Sequence, residues 1–469
     1  MGLEYIFPRV AIDESNAGPR PVQGVSMSTI GLVGTFCKGP VNTPITIGSL
    51  DKLVEVFGGY KKELTGYKSA LAAFSQGAND FKVVRVGSAT IKEASVKLKS
   101  AADADVVDVK ALTPGTWGND IKVSVVAGTA NGTFKLIVIF FSKTEEFDNL
   151  TLDNLATVQS KYVSVSKLDG AAAIPKNIAA VSLTAGDDGA VTADTDYVGA
   201  VAADGKRSGL KVLETVKANI IIAAQQTSST IRNALITHCA NMTPGYGLRI
   251  AVLNPDKGMT TEAATALTAA LDNMRGILSY PWNELADIPG EYIAPDGFYA
   301  GRLAALNSNQ SPSNKLINGI VSQERTFTDA DIKALTLARI SPITLEEGRG
   351  FRIRNGVTLS SDPAWSQISI RRVFDELEMI IYDGTQWAKS EDNTPELREA
   401  MATQIDSVLA VFKQQRKIYD YKPTVCDDTN NTPETIAARI LNTKISVRPI
   451  YAADFIDHSI QRLLGNEGN

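Results

Sequence analysis

The stretch TIGLVGTFCKGP, residues 29–40, decides how the chain is read. An apolar run of strand length closed by a Lys-Gly-Pro turn predicts a short buried strand over 29–36. Working outward, SLDKLVEVFGGY (49–60) reads as a helix with Ser49 as N-cap, Leu50, Leu53, Val54 and Phe57 on one face, and Gly58 as its stop. YKSALAAFSQGA (67–78) reads as a second helix and FKVVRVGS (81–88) as a second strand. Strands alternating with helices predict a parallel α/β sheet.

The same stretch spaces Gly34 and Gly39 as a phosphate-binding loop would. Such a loop needs Lys and then Ser or Thr after its second glycine, to reach phosphate and Mg²⁺. Pro40 and Val41 stand there instead, so a strand end and a turn are expected. In GYG (245–247) the third glycine of a dinucleotide fingerprint is replaced by Ile250.

From about 92 to 185 the helical period fades. IKVSVVAG, GTFKLIVIFF and KYVSVSKL alternate with Gly, Asn and Asp turns, which predicts an inserted β-sandwich-like domain. The α/β pattern resumes at LKVLETV (210–216), with strands at 219–225, 248–254 and 275–282 and helices between them. Near 350 the character changes again. PAWSQISIRRVFDELEMIIYDG (363–384) predicts a helix with Pro363 in its first turn, and TPELREAMATQIDSVLAVFKQQRKI (394–418) a longer one. PTVCDD and KISVRPIYAADFI predict strands. The expected architecture is α/β and α+β, multidomain. Its parts are an N-terminal extended arm at 1–20, an α/β domain from 21–91 and 206–349, and a β-rich insertion at 92–205. A C-terminal α+β domain at 350–452 and a C-terminal arm at 453–469 complete it.

Both ends read as extended and apolar. Leu3, Tyr5, Phe7 and Val10 precede a Gly-Pro linker, and Phe455, Ile456 and Ile460 lie in the last segment. Pro8 excludes a central strand of the chain's own sheet. Such tails suit addition to a sheet edge on another molecule.

Chemistry is sparse in these 469 residues. A net charge of −5, without a Lys/Arg run, carries no bias toward polyanions. Three distant cysteines, Cys37, Cys239 and Cys426, form no disulfide framework or CxxC motif. The opening MGLEYIFPRV has no apolar signal core, and Ile6 spoils a myristoylation motif. FKLIVIFF (134–141) is too short to span a bilayer. A hydrolase triad needs a placed histidine, and there is no G-x-S-x-G elbow. His238 sits beside Cys239 on a helix, read as a core cysteine and a surface or capped histidine; His458 is in the C-terminal tail. The acids of DADVVD (103–108) and GDDG (186–189) read as loop acids, with Ca²⁺ as the alternative, and Glu346 with Glu347 as a solvated face. No catalytic, metal or cofactor site is expected.

Several motifs, in order, resemble the contractile tail sheath family of myovirus-type phages and related injection systems. They are the Gly-Val-Ser turn, strand and KGPVNTP of 24–44, TPGTWGNDIKVSV (113–125), LTAGDDG (183–189) and KRSGLKVLE (206–214). SYPWNEL (279–285), IAPDGFYAGRLAA (293–305) and GRGFRIRNGVTLSSDPAWSQISIRRVFDELE (348–378) continue the series. Leu306 and Asn307 depart from it, where many relatives show Arg and Asp. The resemblance implies an α/β domain that is subtilisin-like in topology only, and a mechanical rather than enzymatic role. Subunits would polymerise as stacked hexameric rings around a tail tube protein, joined by arms that complete neighbouring sheets. Baseplate and tail terminator proteins would be further partners, with no direct nucleic acid and no membrane insertion. Contraction would drive the tube through a cell envelope, from a virion tail assembled in the host cytoplasm or from a bacterial injection particle. In that family the tube-facing surface belongs to the C-terminal domain. Here NTPETIAARILNTK (431–444) fits a short helix, with Ile436 and Ile440 buried and Arg439 and Lys444 projecting toward the tube. A degenerate α/β hydrolase and a passive tail tube protein are the competing readings; the length and α/β pattern oppose the second.

Overall fold

The computed structural model describes residues 24–189, 192–454 and 456–462. Leu3, Tyr5, Phe7, Val10 and Phe455 lie outside the described residues. Two compact units are present, one built on residues 26–376 and the other on 377–450.

In the first unit the chain begins with β1 (Ile30–Gly34), β2 (Pro44–Ile47), α1 (Leu50–Phe57), α2 (Gly66–Phe74) and β3 (Phe81–Arg85). After the β-rich segment come α3 (Asp194–Val198), β4 (Ile220–Ala223), α4 (Ser229–Ala240), β5 (Ile250–Leu253), α5 (Thr261–Thr268) and β6 (Gly276–Tyr280). Then follow α6 (Asp296–Ala304), α7 (Asp329–Leu337), β7 (Ile340–Glu346) and β8 (Gly350–Ile353). The eight strands form one sheet in the order β8-β7-β6-β5-β4-β1-β3-β2. Its six inner strands pair in parallel, and β2 and β8 close the edges antiparallel.

The strand sequences explain why helices cover both faces. Ile220 and Ile222 of β4 enter one core while Ile221 and Ala223 enter the other. Ile250 and Val252 against Ala251 and Leu253 repeat this on β5. A strand apolar on both sides must be covered on both sides. α1, α2 and α6 cover the first face; α4, α5 and α7 cover the second. The expected cap of α1 is present, with Ser49 accepting from the Lys52 N–H at 3.2 Å. Its face is narrower than expected: Leu53 and Phe57 are buried, Leu50 is partly buried and Val54 is exposed.

The turn after β1 is pinned through one of its own carbonyls. The Arg85 guanidinium, fully buried, donates to Gly39 O at 2.8 Å and Pro114 O at 2.6 Å. Gly39 takes a φ of 98°, and a Cβ there would sit 2.6 Å from the Phe57 ring.

Between β3 and α3, residues 95–99, 105–111 and 163–167 form a three-stranded sheet. Residues 121–127, 134–140, 143–150 and 178–182 form a four-stranded one. Val107, Val109, Val123, Leu136 and Val138 join both sheets in one core that ends at Leu183. The segment closes on itself through bridges of Lys92 with Asp187 and Ser95 with Thr184. α3, expected within the insertion, instead sends Tyr197 into the α/β core. Asp188 of GDDG is occupied by donors: the Thr116 N–H at 2.8 Å, its hydroxyl at 2.8 Å and Lys61 Nζ at 2.8 Å. A carboxylate so saturated by donors is a fastener rather than a cation ligand.

α8 (Ile368–Gly384) is continuous across the division at 376/377. It starts later than expected, because Pro363–Trp365 forms a separate 3₁₀ turn capped by Asp362. The C-terminal domain expected from 350 therefore begins later as a compact unit. Residues 350–353 are β8 of the large sheet, and Leu359 and Ile368 lie in its cores. The 377–450 unit holds the end of α8, α9 (Pro395–Gln414), β9 (Ile418–Val425), α10 (Pro433–Ala437) and β10 (Lys444–Pro449).

α2 and α6 touch through bare backbone. A Cβ on Gly297 would lie 2.1 Å from Ser69 O, and one on Gly301 2.5 Å from both Cα and O of Ala73. Neither contact is with a flexible side chain, so the helices would have to separate. Gly301→Ala is expected to cost at least ~2 kcal/mol, in the range of overpacked cores. Gly59→Ala, where a Cβ meets nothing within 4 Å, is the control and should cost little. Equal denaturant midpoints for the two variants would refute the close-contact reading.

Candidate functional site

In open parallel α/β sheets, ligands bind in the crevice beyond the carboxyl ends of the strands. Here that region is filled. Asp296, the first residue of α6, is fully buried. Its Oδ1 accepts from the Ser69 hydroxyl (2.8 Å) and the Gly297 N–H (2.6 Å). Its Oδ2 accepts from the Gln225 N–H and from Asn254 Nδ2, both at 2.9 Å. Gln225 lies two residues past β4 and Asn254 directly follows β5, so one carboxylate ties two strand ends to α2 and α6. Burial pushes the Asp296 carboxyl above its ordinary range, against the pull of those four donors. Beyond β1, Thr35, Thr65 and Tyr197 join through hydroxyl contacts of 3.1 and 2.9 Å.

His238 is not at this edge and is not on the surface, as one reading of the sequence had it. It is buried, and its Nε2 accepts from Arg249 Nη1 at 3.0 Å. Arg249 also donates to the carbonyls of Gly247, Leu213 and Val216, each at 3.0 Å. Cys239 is a core residue, and burial pushes its thiol up to about 12. Among the described residues no group of His, Cys, Asp and Glu could hold a metal ion, and no helix is long and apolar enough to cross a membrane.

The remaining candidates lie on exposed backbone. β9 and β10 form a two-stranded antiparallel sheet, and among the described residues no strand pairs with either outer edge. A hairpin alone is marginal in water; this one is backed by α9, where Leu409 and Phe412 are buried, as is Ile418 of β9. Pro423 within β9 lacks an N–H, which suits an edge and not a sheet centre. Tyr419 is exposed, with the Arg448 guanidinium 4.6 Å from its ring centre.

The loop from β9 to β10 carries α10, the short helix expected there, capped by Thr432. Three asparagines close its neck. Asn430 Nδ2 donates to Val425 O (2.9 Å) and Asn442 O (3.0 Å), while the Asn442 N–H donates to Asn431 Oδ1 (2.7 Å). Arg439 and Lys444 are both exposed, one past α10 at a φ of 61° and the other at the start of β10. The helix is only five residues long, so Ile440 falls beyond it and is 48% exposed, not buried as expected; Ile436 is half-buried. Ile456 and Ile460 are 72% and 93% exposed and belong to no helix or strand. They are not brought together with Arg439 or Lys444 by any bond described.

A model of the phage tail sheath protein central domain matches residues 190–359, and one of the phage tail sheath C-terminal domain matches residues 360–462. Together they take in more than half of the chain. The chain belongs to the phage tail sheath protein family. The tail sheath protein of Vibrio phage KVP40 is 26% identical over 166 residues, 35% of this chain. That match spans only 22% of the longer relative. Among solved structures, the sheath tail protein of Listeria innocua aligns over 92% of this chain and 94% of its own, at 13% identity and a TM-score of 0.71. The sheath complex of PVC, an extracellular contractile injection system in its contracted state, aligns over 98% of both chains at 16% identity and a TM-score of 0.62. These likenesses establish a mixed α/β, multidomain sheath fold.

Sequence reading missed the structural charges of this sheath fold: Arg85, Arg249, Asp296 and Arg372. A lone charge inside an apolar run, as in FKVVRVGS or LRIAVLN, was the available signal. Such a residue must find partners or stay at the surface.

His238 has a consequence that can be measured. Burial, with Arg249 and Lys211 adding to it, pushes its imidazole down to about 3. The unfolded chain therefore takes up this proton first as pH falls from ~6.5. The stabilisation is fully present above that value and is lost progressively toward about 3. The urea midpoint should fall between pH 7 and pH 5, and fall less in His238→Gln, whose amide oxygen still accepts from Arg249. Identical pH slopes in the two proteins would exclude His238 as the source.

Proposed function

We propose that this chain is the structural subunit of a contractile tail sheath, one that polymerises around an inner tube and shortens to drive it through a target envelope. The observation that carries the reading is the open β9–β10 sheet in a chain whose two ends read as extended and apolar. Strand addition from a second copy would pair both outer edges and form directional main-chain links between subunits. The contracted-state PVC sheath fold supports the same reading.

Leu3, Tyr5, Phe7 and Val10 at one end and Phe455, Ile456 and Ile460 at the other are the side chains that would lock such added strands. Partners would be further copies in stacked hexameric rings, a tail tube protein, a baseplate and a terminator, in a virion tail or an injection particle. The domain scheme is part of this proposal. The large sheet, with helices on both faces, supports a subtilisin-like topology; its filled strand ends support a scaffold role for it. Residues 92–188 would be the insertion and 377–450 the arm-accepting module.

Removing residues 1–17 is expected to leave a folded monomer that forms no tubes. Circular dichroism and electron microscopy of the purified chain check this; tubes of normal length would sink the arm assignment. Tube contact is expected to be weak and charge-steered, through Arg439 and Lys444. Exposed ion pairs contribute only ~0.2–1 kcal/mol each, but one set per subunit accumulates along a tail. Arg439→Glu combined with Lys444→Glu should leave self-polymerisation intact and yield mostly empty sheaths. Equal tube occupancy in wild type and the double variant removes both residues from the interface.

A further inference from the structure

A chain that passes load to its neighbours through a terminal arm needs a firm root for that arm. Residues 24–29 are the described part of the segment leading into β1, and they are held more tightly than their sequence suggests. Met27 is buried, and its carbonyl accepts from Arg372 Nη2 at 3.0 Å. The same guanidinium donates to Leu306 O at 3.2 Å and Asn307 O at 3.4 Å. Arg372 is 1% exposed, so three carbonyls from two distant segments share one buried cation on α8. Met27 Sδ also accepts from Asn219 Nδ2 at 3.7 Å, and the Thr29 hydroxyl donates to Asp80. Thr29 O accepts from the N–H groups of Asn219 (2.9 Å) and Ile220 (3.1 Å).

Leu306 and Asn307, the positions that depart from the family pattern, serve Arg372 with backbone carbonyls. Their side chains are free to change without touching the clamp.

The α8 segment before residue 377 is bolted to the same unit. Asp375 accepts from Arg371 Nε at 3.0 Å and pairs with Arg275 at 3.0 Å, and Glu376 accepts from the Ser308 hydroxyl. Arg371 also stacks 4.5 Å from the Trp365 ring centre.

We propose that Arg372 is the anchor of the N-terminal arm, holding the segment that leads into β1. Tension on the arm would reach Arg372 through the Met27 carbonyl. Arg372 thus acts as a positioning residue: it sets where the arm leaves the body and keeps it from peeling back to β1. This rests on the sheath reading for its role, though not for its geometry.

The test separates the two. Hydrogen exchange is measured on the full-length monomer for wild type, Arg372→Met, Arg372→Lys and Arg249→Met, and each is then polymerised and imaged. Because a hydrogen bond to a charged group is worth more than a neutral one, Arg372→Met should speed exchange of residues 26–30 at least about tenfold. Arg372→Lys should fall between, and Arg249→Met, another buried arginine, should leave that segment protected. Arg372→Met should then form short or irregular tubes from a folded subunit. Unchanged exchange at 26–30 in Arg372→Met overturns the anchor, as do wild-type tubes from a variant with a loosened root. Wild type that never forms tubes removes the sheath reading while the exchange result still decides the clamp. If neither Arg372 variant folds, pulling the wild-type chain by its N-terminus decides it: the clamp requires residues 24–29 to hold until β1 gives way, and their early separate release overturns it.

Discussion

The backbone contact between α2 and α6 sets the distances on which one face of the large sheet depends. Gly297 and Gly301 let α6 lie against Ser69 and Ala73 with no side chain between. Once the helices are that close, Asp296 can reach Ser69 on α2 and the two residues that follow β4 and β5. Four donors converge on one buried carboxylate, so a shift of either helix leaves charge or donors unsatisfied, at a cost larger than that of a lost neutral bond. The placement of α2 and α6 and the tie between the ends of β4 and β5 follow together.

This closure gives the scaffold reading a physical basis. An enzyme of this architecture keeps an open crevice beyond its strands, with perturbed groups facing it. Here several of the perturbed groups are buried arginines that point inward. Arg85, Arg249 and Arg372 are each pushed down to about 10 by burial, and each donates to backbone carbonyls. Buried arginines spent on carbonyls fix loops in place rather than move protons. Among the described residues, main chain is open at the outer edges of β9 and β10.

Much of the fold was legible in the chain. The both-sided apolar runs at 29–36, 219–225 and 248–254 announced strands of a parallel sheet, and β1, β4 and β5 lie there. Ser49 announced a helix start and caps it, and the segments beginning at Thr394 and Asn431 hold the helices expected there. Other features were misread for specific reasons. Pro363 was placed in α8 because proline favours a first helical turn, but Asp362 caps a separate turn there. His238 was read as a surface or capped histidine; it is buried, and its partner Arg249 comes from eleven residues further along the chain. Ile440 was placed inside because helical period was extended past a helix that stops at Ala437.

The sequence by itself determined what local periodicity and turn chemistry encode: strands apolar on both faces, capped helices, the β-rich insertion and two apolar ends with little catalytic equipment. It also carried the ordered motifs of the sheath family. The tertiary structure decided where isolated charges and bare glycines are used. Asp296, Arg249 and Arg372 find their partners across tens to hundreds of residues, and no local pattern announces a carbonyl that will accept from a distant guanidinium. Gly297 and Gly301 show their purpose only when α2 lies against them, because the absence of a side chain matters only where another backbone takes its place.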